Sequence, residues 1–193
     1  MSVGIQLIEQ KIAEHLALTK QVMEELSAEI ARVAEQSAGV LRAGRTIFWC
    51  GNGGSAADSQ HLAAELVGRF TRERKAWASI ALTTNTSTLT SVGNDYGFDS
   101  IFERQVQGLM KEGDLLFALS TSGNSENVVR AVRAAREHGG ASVGLLGRDG
   151  GALRELCDTS LVIPSSDTAR IQEMHILIGH LLCDLVEQQL TTS

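Results

Sequence analysis

After Gly44, five short apolar runs alternate with helix-patterned stretches, and this alternation constrains the fold more than any other feature of the chain. The runs are 46–50, 78–82, 115–119, 142–146 and 160–163. Strands joined through helices re-enter a sheet in the same direction, and a parallel sheet needs cover on both faces. The expected fold class is therefore α/β, with a five-stranded parallel sheet sandwiched by helices. In such sheets ligands bind beyond the carboxyl ends of the strands, where the strand order reverses.

The flanking segments read as helices. Within 1–44, Ile5, Ile8, Ile12 and Leu16 repeat at spacings of three and four, as do Val22, Leu26, Ile30 and Val33, which predicts two amphipathic N-terminal helices. A last helix over 168–189 carries Ile171, Met174, Ile178, Leu181, Leu182 and Leu185 on a broad arc. Residues 1–193 then form one domain, with 1–44 used in core and oligomer packing and 45–193 as the α/β sandwich. These helices present more apolar surface than one sheet needs, so self-association is expected.

Composition narrows the function classes. A formal net charge of -6 excludes a nucleic-acid binder held by a broad basic surface. The longest apolar stretch, 176–186, is interrupted by His180 and Asp184 and falls short of the ~20 residues that span a bilayer. The N-terminus, Met1-Ser2-Val3-Gly4-Ile5, lacks a basic segment followed by an apolar one, so nothing there directs export. Cys50, Cys157 and Cys183 form no C-x-x-C pair and read as buried thiols of a reducing, cytoplasmic protein.

Two turns follow strands directly. Ser120-Thr121-Ser122-Gly123-Asn124-Ser125 lies between the third apolar run and a helical pattern beginning at Glu126. The first N–H groups of a helix lack internal partners and its dipole is positive there, so hydroxyls gathered at that point form a seat for phosphate. The first run ends in Cys50-Gly51-Asn52-Gly53-Gly54-Ser55. Gly51, Gly53 and Ala56 satisfy G-x-G-x-x-G/A, but the second run ends in Leu82-Thr83-Thr84-Asn85 without the acidic residue that holds a ribose. No Lys follows these glycines, so the triphosphate-binding pattern is absent too. What remains is a tight strand-to-helix connection whose backbone can approach an oxygen-rich ligand, with Asn52 and Ser55 adding donors.

In the helix that follows, His61 and Glu65 stand four apart on one face, a pair able to chelate a metal, to share a proton, or simply to form a solvated ion pair. Gly93-Asn94-Asp95-Tyr96-Gly97 reads as a polar turn between helical stretches. Gln172 and His180 interrupt the apolar arc of the last helix, and His175 lies about 140° around that helix from His180.

Taken together, Cys50-Gly51-Asn52-Gly53-Gly54-Ser55, His61-Leu62-Ala63-Ala64-Glu65-Leu66, Gly93-Asn94-Asp95, the Ser120 to Ser125 turn and Ala169-Arg170-Ile171-Gln172-Glu173-Met174-His175, with His180 beyond, resemble the sugar isomerase (SIS) domain family, and within it the phosphoheptose isomerases. The resemblance implies a flavodoxin-like sheet and a homotetramer. It implies conversion of sedoheptulose 7-phosphate into D-glycero-D-manno-heptose 7-phosphate, the first step toward bacterial heptose. By motif match, Ser120, Thr121, Ser122 and Ser125 hold the phosphate, and Asn52, Gly53, Gly54, Ser55, Asn94, Asp95, Glu65 and Gln172 contact the substrate. The resemblance further implies zinc at His61, Glu65, Gln172 and His180, with Glu65 and His180 as the proton-transfer pair. Where some relatives carry an acid just before the Arg-Ile-Gln-Glu segment, this chain has Ala169, with Asp167 nearby.

Moving a carbonyl between C1 and C2 requires a proton to leave one carbon and return to the next through an enediolate. A carboxylate beside a His can act as base and acid in turn while a cation stabilises the oxyanion. Gln172 and His180 are about 12 Å apart along one helix and about 80° around it, so both reach one ion only with difficulty. A site combining residues of neighbouring subunits is therefore expected. Two rivals remain: a non-catalytic SIS-domain adaptor binding the replication initiator, and a SIS isomerase for another sugar phosphate. The adaptor reading predicts loss of the catalytic acid, whereas Glu65 is present.

Overall fold

A computed structural model of the protein describes residues 3–191. Met1 and Ser2, on which part of the N-terminal reading rests, lie outside the described residues. The chain opens with α1 (Val3–Arg42) and then runs β1 (Ile47–Gly51), α2 (Gly54–Val67), β2 (Ser79–Ala81), α3 (Thr86–Tyr96), a short 3-10 turn at Phe98–Ser100 and α4 (Glu103–Leu109). It continues through β3 (Leu115–Ser120), α5 (Glu126–Glu137), β4 (Ala141–Gly147), α6 (Gly151–Leu156) and β5 (Thr159–Ile163) to α7 (Thr168–Thr191). All five strands pair in parallel, in the order β2-β1-β3-β4-β5. The direction of winding reverses between β1 and β3, so the ligand crevice of such a sheet lies between the turns that follow those two strands.

Side chains alternate across the sheet with the period of two that a strand requires. Ile47, Trp49, Leu115, Phe117, Leu119, Val143 and Leu145 pack under α1, α2 and α7. Phe48, Cys50, Leu116, Ala118 and Leu146 face the opposite layer, built from α4, α5 and α6. Trp49 and Phe117 stack at 4.2 Å between ring centroids on neighbouring strands, and the Trp49 indole N–H donates to Ser79 Oγ at 2.8 Å. All three cysteines are buried and free, and burial pushes the thiols of Cys157 and Cys183 up to about 12.

Two expectations change. The segment read as two helices is a single helix, α1. No Pro or glycine lies between its two apolar sets, and Ala17, Leu18, Lys20 and Gln21 are good helix formers that carry the backbone through. The polar segment from Gly93 to Tyr96, read as a turn, is the last turn of α3, which ends at Gly97 with φ +86°. None of that helix's residues is fully buried, but Leu89 and Val92 pack partly buried against the core, and the Asn85 side chain caps the helix by accepting from Thr88 N. The first turns of α1 also project Leu7, Ile8, Ile12 and Leu16 into solvent, each more than half exposed.

Candidate active site

The switch point brings the two turns together as the topology requires. Asn52, after β1, and Asn127, in the first turn of α5, exchange side-chain amide hydrogen bonds, each N–H donating to the other's carbonyl oxygen at 2.9 Å. Asn127 is buried and Asn52 half-buried, so the pair ties the Gly-rich turn to the hydroxyl-rich turn across the crevice. Sequence reasoning passed over Asn127, whose only local signal is a polar residue leading the apolar Val128 and Val129.

The hydroxyl-rich turn is held from within. Ser120 Oγ accepts from Gly123 N at 3.1 Å and lies 3.2 Å from Ser125 Oγ. Ser125 occupies the N-cap of α5 without a side-chain cap bond, which leaves its hydroxyl and the first N–H groups of α5 available to an anion. Glu126, the acidic residue of that first turn, is engaged by Arg130 Nε at 2.9 Å. Gly123 adopts φ +67°, and a Cβ there would lie 1.9 Å from Gly150 O, so the turn after β4 packs directly beneath. Asn124 joins the same two turns by accepting from Ala152 N at 2.9 Å.

Helices α2 and α7 run parallel, because successive contacts advance along both. Gln172 lies against Gly54, where a Cβ would fall 2.6 Å from Gln172 Nε2. Gly179 faces Leu62, and His180 faces His61 with Nε2 to Nε2 at 2.8 Å. Glu65 Oε1 is 3.4 Å from His61 Nε2. The Phe70 ring stacks on His180 at 5.6 Å between centroids. One turn before His61, Asp58 Oδ2 is buried without a hydrogen-bond partner among the described residues, and burial pushes its pKa up against the opposing pull of His61.

Residues read from sequence as one site therefore fall into separate groups within a chain. Asn52, Gly53, Gly54, Ser55 and Gln172 gather with Ser120, Thr121, Ser122 and Ser125 around the carboxyl edge of the sheet. His61, Glu65 and His180 gather on its flank. Asn94 and Asp95, at the exposed end of α3, share a hydrogen bond with each other at 2.8 Å, and no hydrogen bond joins either to these groups among the described residues.

The SIS domain model matches residues 12–147. A phosphoheptose isomerase of Nitratiruptor sp. is 52% identical over 94% of this chain and 97% of its own length. The chain belongs to the SIS-domain phosphoheptose isomerase family. The solved structure of a phosphoheptose isomerase from Francisella tularensis superposes with a TM-score of 0.94 at 36% identity, covering 97% of this chain and 100% of the other. That from Neisseria gonorrhoeae gives 0.90 at 42% identity, covering 95% and 98%.

For a phosphoheptose isomerase family member, the donor chemistry on the flank is suited to a divalent metal. Two imidazole nitrogens face each other with a carboxylate beside them, a set that zinc accepts. No three His, Cys, Asp or Glu side chains already stand as a ligand group among the described residues, and Gln172 sits eight residues before His180, about 12 Å along α7. Gln172 lies against Gly54 and His180 against His61, seven residues further along α2.

Proposed function

We propose that this chain isomerises sedoheptulose 7-phosphate to D-glycero-D-manno-heptose 7-phosphate through an enediolate. The observation that carries the reading is the convergence of Glu65, His61 and His180, a carboxylate beside two imidazoles, in a member of this family. In the ketose the carbonyl is at C2. A base takes a proton from C1, the electron pair forms the C1–C2 double bond of the enediolate as charge moves onto O2, and, as a proton passes from O1 to O2, return of a proton to C2 leaves the carbonyl at C1. Glu65 and His180 are the proposed proton-transfer pair, one as base and one as acid. Ser120, Thr121, Ser122, Ser125 and the N-terminus of α5 would hold the phosphate, and Asn52, Gly53, Gly54, Ser55 and Gln172 the sugar hydroxyls, with Asn94 and Asp95 as further sugar contacts.

Zinc is the proposed metal, held by His61, Glu65 and His180, with Gln172 as a fourth donor supplied by a neighbouring copy. When bound it would supply Lewis-acid stabilisation of negative charge on the sugar oxygens. A carboxylate engaged with a cation is a weaker base, so Glu65 is not ligand and base at the same moment.

A homotetramer with sites built between subunits is part of the same proposal. Glu65 lies eleven residues beyond Gly54, about 16 Å along α2 from the carboxyl edge of the sheet. A seven-carbon sugar phosphate seated on the Ser120 turn would have to span that length to meet the flank of its own chain. A neighbouring copy that lays its own flank over the crevice would complete the site, and the apolar residues that α1 leaves exposed offer surface for such assembly.

The test is to incubate the purified protein with sedoheptulose 7-phosphate and follow aldose formation, with Glu65→Gln, His180→Gln and chelator-treated samples in parallel. Each substitution is expected to lower kcat by about 10²–10⁴. Full activity in Glu65→Gln would end the assignment. No turnover by the unsubstituted protein, with capture of a replication initiator, would favour the adaptor reading.

A further inference from the structure

The segment between α2 and β2 is anchored by one carboxylate. Glu187, near the end of α7, is fully buried. Its Oε1 accepts from Phe70 N at 2.7 Å and Arg74 Nε at 3.0 Å, and its Oε2 accepts from Thr71 N at 2.8 Å, Arg72 N at 2.9 Å and Thr71 Oγ1 at 3.2 Å. Three successive backbone N–H groups wrapped around an anion form a nest, and here the anion is a side chain of the protein itself. Burial alone would raise the Glu187 pKa, but these donors outweigh it and hold the group at about 2.

Arg74 completes the anchor. Its guanidinium lies 3.7 Å over the Trp77 ring and donates to the backbone oxygens of Leu66 at 2.9 Å and Glu65 at 2.8 Å. The strap therefore touches the candidate reaction centre twice, through the Glu65 carbonyl and through the Phe70 ring on His180. His180 has that ring stacked on one face and His61 at its Nε2, the two imidazole planes steeply inclined at 5.1 Å between centroids.

From this geometry we infer that Phe70, held in place by the Glu187 nest, is a positioning residue that sets the orientation of the His180 imidazole for proton transfer. The inference rests on the isomerase reading for its catalytic consequence but not for its structural one. An imidazole with a free flank rotates about its side-chain bonds, whereas one held by an aromatic face and by a second imidazole at its Nε2 keeps that nitrogen aimed. Both Phe70 and Glu187 lie outside the motifs read from sequence, although Glu187 follows His180 by seven residues and so shares its side of α7.

The experiment compares Phe70→Leu, Phe70→Tyr and Glu187→Gln in the full-length protein, with thermal melts to confirm folding. Phe70→Leu keeps the bulk and removes the ring. It is expected to lower kcat about tenfold while KM stays within about twofold, and Phe70→Tyr to recover most of that loss. In parallel, the His180 ring C–H resonances, assigned by comparison with His180→Gln, are expected to lose their ring-current shift in Phe70→Leu and to move in Glu187→Gln. Glu187→Gln keeps the Phe70 ring, so its resonance readout, which needs no turnover, decides the positioning even where the isomerase reading fails, and unmoved His180 resonances in that variant would overturn the inference. His180 resonances unchanged in Phe70→Leu would overturn the inference, as would a kcat for that variant equal to that of the unsubstituted, active enzyme.

Discussion

Asn52 and Asn127 close the crevice of the sheet by exchanging a pair of amide hydrogen bonds, each 2.9 Å long, between residues 75 positions apart. One amide sits on the Gly-rich turn and the other in the first turn of the helix that receives the phosphate under the proposed function. Each uses one N–H and its carbonyl oxygen on the other, so their orientations are mutually determined. The remaining Asn52 N–H is left for a ligand.

Replacing Asn127 with Leu removes both bonds and strands the Asn52 amide in a half-buried place. A destabilisation of about 1–3 kcal/mol is expected from urea unfolding, because the buried partner groups are lost together. KM for the sugar phosphate should rise more than kcat falls, since the pair orients substrate contacts and takes no part in proton transfer. Steady-state kinetics on the folded fraction distinguish the two.

Gly123 permits the hydroxyl-rich turn to pack on the turn after β4. In Gly123→Ala, the left-handed backbone angle and a Cβ placed 1.9 Å from Gly150 O act together. A loss of about 2–4 kcal/mol is expected, with the apparent affinity for inorganic phosphate falling in parallel. Calorimetric melts and phosphate titration of the folded protein check both effects.

Acid should unfold the protein in two windows. His175 is fully buried and both ring nitrogens lack a hydrogen-bond partner among the described residues. Burial lowers its pKa to about 4. Its folded pKa lies below the unfolded 6.5, so its contribution is complete above that value and is lost as pH falls toward 4. Glu187, held at about 2 against an ordinary 4.5, repeats the pattern lower down, with its contribution lost as pH falls from 4.5 toward 2. Each shift corresponds to about 3 kcal/mol. Unfolding free energy measured against pH should lose the upper window in His175→Leu and the lower one in Glu187→Gln.

If sites are built between subunits, two damaged variants should repair one another. Glu65→Gln lacks the proposed base, and Ser120→Ala combined with Ser125→Ala lacks phosphate-turn hydroxyls. Mixed oligomers assembled from both would contain some sites with an intact turn from one copy and an intact flank from the other. Activity at low substrate should exceed that of either variant alone. Mixtures that show only the sum of their parts would indicate sites confined to single chains.

Removal of metal gives a separate check on the flank cluster. Dialysis against a chelator should lower kcat, and restoring zinc should return it. Metal content measured on the purified protein should fall in His61→Ala and His180→Gln, while remaining unaffected in Ser120→Ala.

The sequence by itself determined the sheet, because each strand is a contiguous apolar run whose alternate residues serve opposite layers, and that pattern is local. It likewise placed the hydroxyl cluster, since Ser120, Ser122 and Ser125 lie within one turn ahead of α5. The unity of α1 was less legible: its apolar stripe changes from exposed residues such as Leu16 to buried ones such as Val22, which looks like two helices although the backbone continues. Only the tertiary structure decided which distant atoms meet. It paired Asn52 with Asn127, set Phe70 against His180 through Glu187, and seated Gln172 against Gly54. Periodicity reports which face of an element is buried. The crossing of α2 and α7, and the closing of the crevice over 75 residues of intervening chain, follow from packing that no local pattern records.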